Sequence, residues 1–330
     1  MVANPTRVAI EATSVCQLRC PSCPTASGDT KRVLGRGFLD PAEFDKFLSE
    51  NPPVREVELS NYGEAFLHPR LAQIFEIAAN RKVSLTIVNG ANLNTVRDGV
   101  LEALVKFRVA LLSVSIDGAS SETYGKYRVG GNYEAVLANI RRINELKKEY
   151  NSRFPLLRWQ FIVFGHNEHE IPLARKLAAD LRMNFALKLP WGNFSPIRNR
   201  NQVLAQLGTD FASRAEYEEK NGEEYLSDIC HQLWDWPHIN WDGKLLGCCR
   251  NFWGEFGPNV FKEGLSAAMN SDLIRRSRSM LEGHAPADDE SPCATCSVYI
   301  TRRTNKRWLG RHELARNAGN HAGDNCRPSL

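Results

Sequence analysis

Over its first two-thirds the chain alternates short apolar runs with longer stretches of helical spacing. That alternation predicts parallel strands joined by helices, an α/β fold. The predicted strands are the runs at 8–12, 54–59, 83–88, 111–116, 158–164 and 185–189. Asp40-Pro41-Ala42-Glu43 supplies an N-cap, a proline at the first helical position and a capping-box glutamate, so a helix should start there. Val136, Leu137, Ile140, Ile143 and Leu146 repeat at helical spacing across 132–148. Asn167 and Glu170 read as another capping pair, ahead of a helix over 171–181. Six βα units predict a partial (βα)6 barrel of the TIM type, with its chemistry at the C-terminal strand ends.

After about residue 195 the rhythm stops. The stretch to Cys230 is polar and helical in character, carrying Glu216, Glu218, Glu219, Glu223 and Glu224. Turn residues, a short apolar strand pair and a group of cysteines follow. So little core could not fold alone, which predicts a small metal-dependent unit. The expected division is a barrel over 1–200 and a cysteine-rich C-terminal domain with its tail over 201–330.

Composition narrows the classes. With 42% hydrophobic and 24% charged residues, the 330-residue chain has the balance of a soluble globular protein. No apolar run reaches the roughly 18 residues of a membrane span. The N-terminus lacks a secretory pattern, so the cytoplasm is the expected location. A formal charge of +4 without a basic, aromatic-interleaved helix gives no case for nucleic acid. Nine cysteines in such a chain read as reduced thiols or metal ligands, not disulfides.

Cys16, Cys20 and Cys23 share one loop directly after the first strand. Three thiolates on one loop can bind three irons of a four-iron cluster and leave the fourth open. A closed zinc site is the alternative, but it needs a fourth ligand, and none lies nearby in sequence. This spacing and position resemble the radical S-adenosylmethionine (SAM) superfamily, and the resemblance covers most of the chain. Ser22 departs from the aromatic residue usual there. Asn61-Tyr62-Gly63-Glu64 follows the second strand and resembles the GGEP-type motif, which implies that Gly63 and Glu64 receive the SAM amino group. Asn89-Gly90 ends the third strand. Ser115-Ile116-Asp117-Gly118 ends the fourth and resembles the element near the SAM ribose, which implies roles for Asn89, Ser115 and Asp117. The segment 161–171 resembles the family's adenine segment.

Cys230, Cys248 and the Cys293-Ala-Thr-Cys296 pair, with Gly243 five residues before Cys248, resemble the SPASM/twitch extension. Full SPASM domains carry two clusters; here there are cysteines for one. The resemblance implies two 4Fe-4S clusters, one binding SAM and one auxiliary on Cys230, Cys248, Cys293 and Cys296. Structural zinc suits four sulfurs equally well. Cys249 is left over. On an extended strand neighbouring side chains face opposite ways, so Cys249 is expected to face away from the auxiliary cluster, toward substrate. Cys326, near the C-terminus, receives no role.

A thiol facing a substrate radical can return a hydrogen atom to it, because its S–H bond is weaker than the C–H bond it makes. Delivery from the opposite face inverts the carbon. The combination is similar to the aminoglycoside epimerases of neomycin biosynthesis, which convert neomycin C to neomycin B. That resemblance implies Cys249 as hydrogen donor, an aminoglycoside substrate and a flavodoxin or ferredoxin type electron donor. Asp228, Asp235, Asp242 and Glu255 are nearby in sequence for such a polycation, but each reads first as ordinary surface. The rival is a radical SAM dehydrogenase of an aminocyclitol or aminosugar alcohol, in which Cys249 is a bystander. Peptide maturation is disfavoured, since the barrel starts within about ten residues of Met1. A zinc-stabilised binding protein is the non-enzymatic alternative.

Overall fold

The computed structural model describes residues 3–314. Its centre is an all-parallel sheet of seven strands: β1 (Arg7–Ile10), β2 (Glu56–Glu58), β3 (Ser84–Ala91), β4 (Leu111–Ser115), β5 (Leu156–Ile162), β6 (Asn184–Lys188) and β7 (His238–Ile239). Their order is β6-β5-β4-β3-β2-β1-β7, so the sheet stays open between β6 and β7. This is the α/β partial barrel that the apolar rhythm predicts. The first six strands fall on the six predicted runs, displaced by a few residues at their ends.

The strands are apolar because both faces are covered. Val8, Ile10, Val57, Ile87, Leu112, Val114, Trp159 and Phe161 are fully or almost fully buried. Helices such as Pro41–Glu50, Leu71–Asn80 and Tyr133–Glu149 cover one face with the stripes that their spacing predicts. Asp40 accepts from the Ala42 N–H at 2.7 Å, so the expected cap forms, and Asn132 caps the third of these helices by accepting from the Ala135 N–H at 3.0 Å.

Three local expectations are corrected. Asn167 and Glu170 do not cap the helix Ile171–Asp180. Asn167 instead bonds Phe164 N, Asp117 O and Ile162 O, while Glu170 takes Ala119 N and the Ser120 and Thr123 hydroxyls. Their side chains tie the ends of β4 and β5 together, where unpaired backbone needs them more than the helix does. Asn89-Gly90 does not end β3 either: the strand runs on to Ala91 through a register shift after Ile87. The short strand pair beyond Cys230 is not self-contained. His238–Ile239 pairs in parallel with Ala9–Ile10 of β1 and bridges back to Leu245. A two-residue pairing is too short to leave a periodic trace.

The C-terminal half packs onto the barrel through this seventh strand. Leu233, Ile239, Leu245 and Phe256 belong to the same continuous apolar cluster as the strand cores. The helices Arg200–Leu207 and Arg214–Asn221 occupy the polar stretch before Cys230.

Candidate active site

The loops at the C-terminal strand ends and the C-terminal half enclose a cavity of about 930 Å³. Its walls carry Cys16, Cys20 and Cys23 on one side and Cys249 on another. The loop after β1 is fixed at its base by a Thr13–Phe38 bridge and a Thr13 hydroxyl bond to Gly37 O at 2.7 Å. Cys23 donates its N–H to Cys20 O at 3.1 Å and then caps the short helix Pro24–Ser27, with proline at the first position. This turn brings the three thiols within mutual electrostatic reach. Burial pushes the Cys16 thiol up to about 12 and raises that of Cys20. Thiolates here therefore need a bound cation, which is what cluster irons supply.

Three side chains reach these sulfurs, the first being Gln17, whose Oε1 lies 3.9 Å from Cys16 Sγ. Asn92 Nδ2 lies 3.8 Å from Cys16 Sγ, and Arg128 Nη1 lies 3.8 Å from Cys20 Sγ. Arg128 is itself held by Asp117, Nε to Oδ2 at 2.6 Å, with Asp117 fully buried. Removing either partner would strand a buried charge. Among the described residues no three Cys, His, Asp or Glu side chains converge tightly enough for one metal ion. Three thiols on one loop suit a cluster, where each binds its own iron and the fourth iron is left open.

The loop after β2 sits against this cysteine loop. Glu64 donates its N–H to Val15 O at 2.8 Å. A Cβ on Gly63 would stand 1.7 Å from Thr13 O, so only glycine allows the approach. Residues 10–176 match the radical SAM superfamily. The chain belongs to that superfamily.

The chain is also similar to individual known proteins. The AdoMet-dependent heme synthase of Methanosarcina barkeri is 32% identical over 143 residues, 42% of this chain and 39% of the relative. The chain thus spans about two-fifths of the curated relative it matches. Among solved structures, Streptococcus suis SuiB bound to S-adenosylmethionine aligns with a TM-score of 0.62 at 15% identity, over 90% of this chain and 72% of that one. BtrN in complex with AdoMet and 2-DOIA aligns with a TM-score of 0.50 at 13% identity, over 90% and 92%. At such identities the likeness is one of fold.

The residues singled out for SAM are placed unequally around the cavity. Gly63, Glu64, Asn89 and Ser115 line the cavity. Glu64 is buried, accepts from Asn92 N at 2.6 Å and Phe66 N at 3.2 Å, and is raised to about 7 by burial. Asn89 Nδ2 donates to Ser60 O at 2.7 Å, and Ser115 Oγ accepts from Gln160 Nε2 at 3.2 Å. Asp117 is not on the cavity wall. Its carboxylate is taken by Arg128 and by Ile162 N at 2.6 Å, so it acts on the cavity through Arg128.

Two buried acids were missed by the sequence reading. Glu11, just past β1, collects the N–H groups of Asn61, Tyr62 and Gly63 at 3.3, 3.0 and 2.9 Å. Burial raises its carboxyl to about 7 despite those donors. Glu58, ending β2, takes Thr86 Oγ1 at 2.6 Å and Val88 N at 2.8 Å. The available signal was a carboxylate at the end of a buried parallel strand, where ionisable groups are rare unless engaged. Asn92, Arg128, Trp191 and Arg214 also face the cavity and carried no sequence signal.

Cys230, Cys248, Cys293 and Cys296 come together around a second, small and apolar pocket. The thiols of Cys230 and Cys293 are both raised, first by burial and then by the neighbouring cysteines. Arg250 and Arg302 lie in electrostatic reach of the group. Four sulfurs with two guanidiniums beside them fit an anionic cluster. Cys296 lines both the small pocket and the large cavity.

Cys248 and Cys249 line different pockets, but not by the strand alternation expected of them. Cys248 lines the small pocket and Cys249, 5% exposed, lines the cavity. The pair sits in a turn and not on an extended strand, because Gly247 at φ +79° has already bent the chain. Of the acids near Cys230, Asp228, Asp235, Asp242 and Glu255 all lie off the cavity wall. Asp235 engages His231 at 2.7 Å and Asp242 engages Lys244 at 3.2 Å. The carboxylates that do face the cavity are Asp29 and Glu64, against Arg128, Lys188, Arg214 and Arg250. Arg250 is paired with Glu224 at 2.7 Å. No helix among the described residues is long and apolar enough to cross a membrane.

Proposed function

We propose that this radical SAM enzyme is an epimerase that inverts an unactivated sugar carbon, with Cys249 as the hydrogen-atom donor. The observation that carries the reading is that Cys249 and the Cys16–Cys20–Cys23 loop face one cavity, while Cys248 turns to the other cysteine group. Cys16, Cys20 and Cys23 would hold the SAM-binding cluster, and Cys230, Cys248, Cys293 and Cys296 an auxiliary one. When bound, the first cluster and SAM supply a 5′-deoxyadenosyl radical, which takes a hydrogen atom from carbon.

The chain's residues do the rest. Glu64 accepts a hydrogen bond from the SAM amino group, with Gly63, Asn89 and Ser115 shaping the wall beside it. Asp117 holds Arg128 against the cysteine loop. The Cys249 S–H bond breaks as a C–H bond forms on the opposite face of the substrate carbon. The thiyl left on Cys249 regains one electron and one proton. A flavodoxin or ferredoxin type donor supplies two electrons per turnover, one for SAM cleavage and one for the thiyl.

The substrate in this reading is an aminoglycoside, neomycin C giving neomycin B. Phe252 and Trp253 give the cavity aromatic surface for sugar rings. A dehydrogenase acting on an aminocyclitol makes a different forecast for one variant. Cys249→Ala should still form 5′-deoxyadenosine from SAM and neomycin C yet make no neomycin B. Unchanged epimerisation, or a product two hydrogens lighter, would defeat the proposal.

A further inference from the structure

Both backbone polar groups of Cys249 are held by side chains from distant segments. Asn61 Nδ2 donates to Cys249 O at 3.0 Å, and Tyr62 Oη donates to the same oxygen at 2.7 Å. The Cys249 N–H donates to Gln232 Oε1 at 2.8 Å. A carbonyl oxygen has two lone pairs, and here both are taken by donors from one loop. That loop belongs to the barrel, 188 residues earlier in the chain.

The loop has little freedom to move. Its three successive N–H groups converge on the buried Glu11 carboxylate. Gly63 lies against Thr13 and Glu64 N against Val15 O. The Tyr62 ring also meets Phe252 edge-on, with centroids 5.6 Å apart, so its hydroxyl is aimed and its ring is braced. One rigid loop therefore carries Glu64 on its SAM side and grips the thiol-bearing turn with Asn61 and Tyr62.

We infer that Asn61 and Tyr62 are positioning residues for the Cys249 thiol, fixing its place relative to the SAM side of the cavity. The inference rests on the reading of Cys249 as hydrogen donor. Neither residue exchanges hydrogen with substrate; they act through the Cys249 backbone. Without the clamp the Cys249 carbonyl loses its bonds to Asn61 and Tyr62, and the thiol samples positions off the substrate carbon. SAM would then be cleaved without inversion.

The test uses anaerobically reconstituted holoenzyme carrying Tyr62→Phe and, separately, Asn61→Leu. Iron content and SAM affinity should match the wild type. Iodoacetamide labelling of Cys249, followed by peptide mass spectrometry, should speed up about fivefold, the equivalent of one lost hydrogen bond. Epimer formed per 5′-deoxyadenosine should fall by a similar factor. Labelling and coupling within twofold of wild type in both variants would overturn the inference. Loss of iron or SAM binding alongside the labelling change would also overturn it, because the loop would then be merely structural. Epimerisation surviving in Cys249→Ala would sink the donor reading alone, since the labelling contrast does not depend on turnover.

Discussion

The two cysteine groups solve opposite problems. Cys16, Cys20 and Cys23 come from one short loop and open onto a cavity of about 930 Å³. Cys230, Cys248, Cys293 and Cys296 come from three segments and close around a small apolar pocket. Three thiols beside a large cavity would leave a position for a reacting molecule, whereas four around a small pocket would leave none. The first group is therefore expected to be dispensable for folding and indispensable for chemistry. With a cluster bound, the second would hold together segments with little regular structure: Cys230 lies in a single 3-10 turn, Cys248 in a bend, and Cys293 in a turn.

The largest effects should separate the two groups. Replacing Cys16, Cys20 and Cys23 with alanine should remove about four of about eight irons and abolish SAM cleavage. Its melting temperature should move by less than about 3 °C. Cys293→Ala should also lose about four irons, yet destabilise the fold by on the order of 5 kcal/mol, or roughly 10 °C. Equal thermal shifts for the two variants would erase the distinction, and stoichiometric zinc at the second group would replace it.

A smaller effect sharpens the open side. Glu64→Gln should weaken SAM binding by about 1.5–3 kcal/mol in a titration while leaving the iron count unchanged. Wild-type affinity would mean that the amino group is received elsewhere.

The smallest is a pH dependence. Glu11 is raised from its ordinary 4.5 to about 7 by burial, so the folded chain keeps a proton that the unfolded chain has lost between those values. The stability this group lends is complete below about pH 4.5 and is lost as pH rises through about 7. The contribution is on the order of 3 kcal/mol at most. Glu11→Gln should flatten the fall of denaturation midpoint between pH 5 and 7, and an unaltered slope would contradict this placement of the acid.

What the sequence disclosed follows the same divide between regular and local structure. The six strands were legible because a parallel strand covered on both faces leaves an unbroken apolar run. The cysteine groups were legible because thiols at ligand spacing stand out in a sequence that gives no sign of secretion. β7 left two residues and no period. Asn167 and Glu170 carry a capping pattern, but their side chains serve strand ends instead, a choice set by tertiary neighbours. Asp117 sat at the right strand end yet is spent on Arg128, a partner eleven residues away on the chain. Glu11, Asn61 and Tyr62 illustrate the rest: their roles depend on which loops meet, and nothing local records a meeting across 188 residues.

The central claim concerns the Cys249 hydrogen, and it is tested most directly by turnover in deuterated water. A thiol exchanges its proton with solvent, so the donor becomes S–D before it meets the substrate radical. The product should carry one deuterium, at the inverted carbon alone, with one 5′-deoxyadenosine formed per product. An inverted product without solvent deuterium, or an oxidised product two hydrogens lighter, would contradict the account.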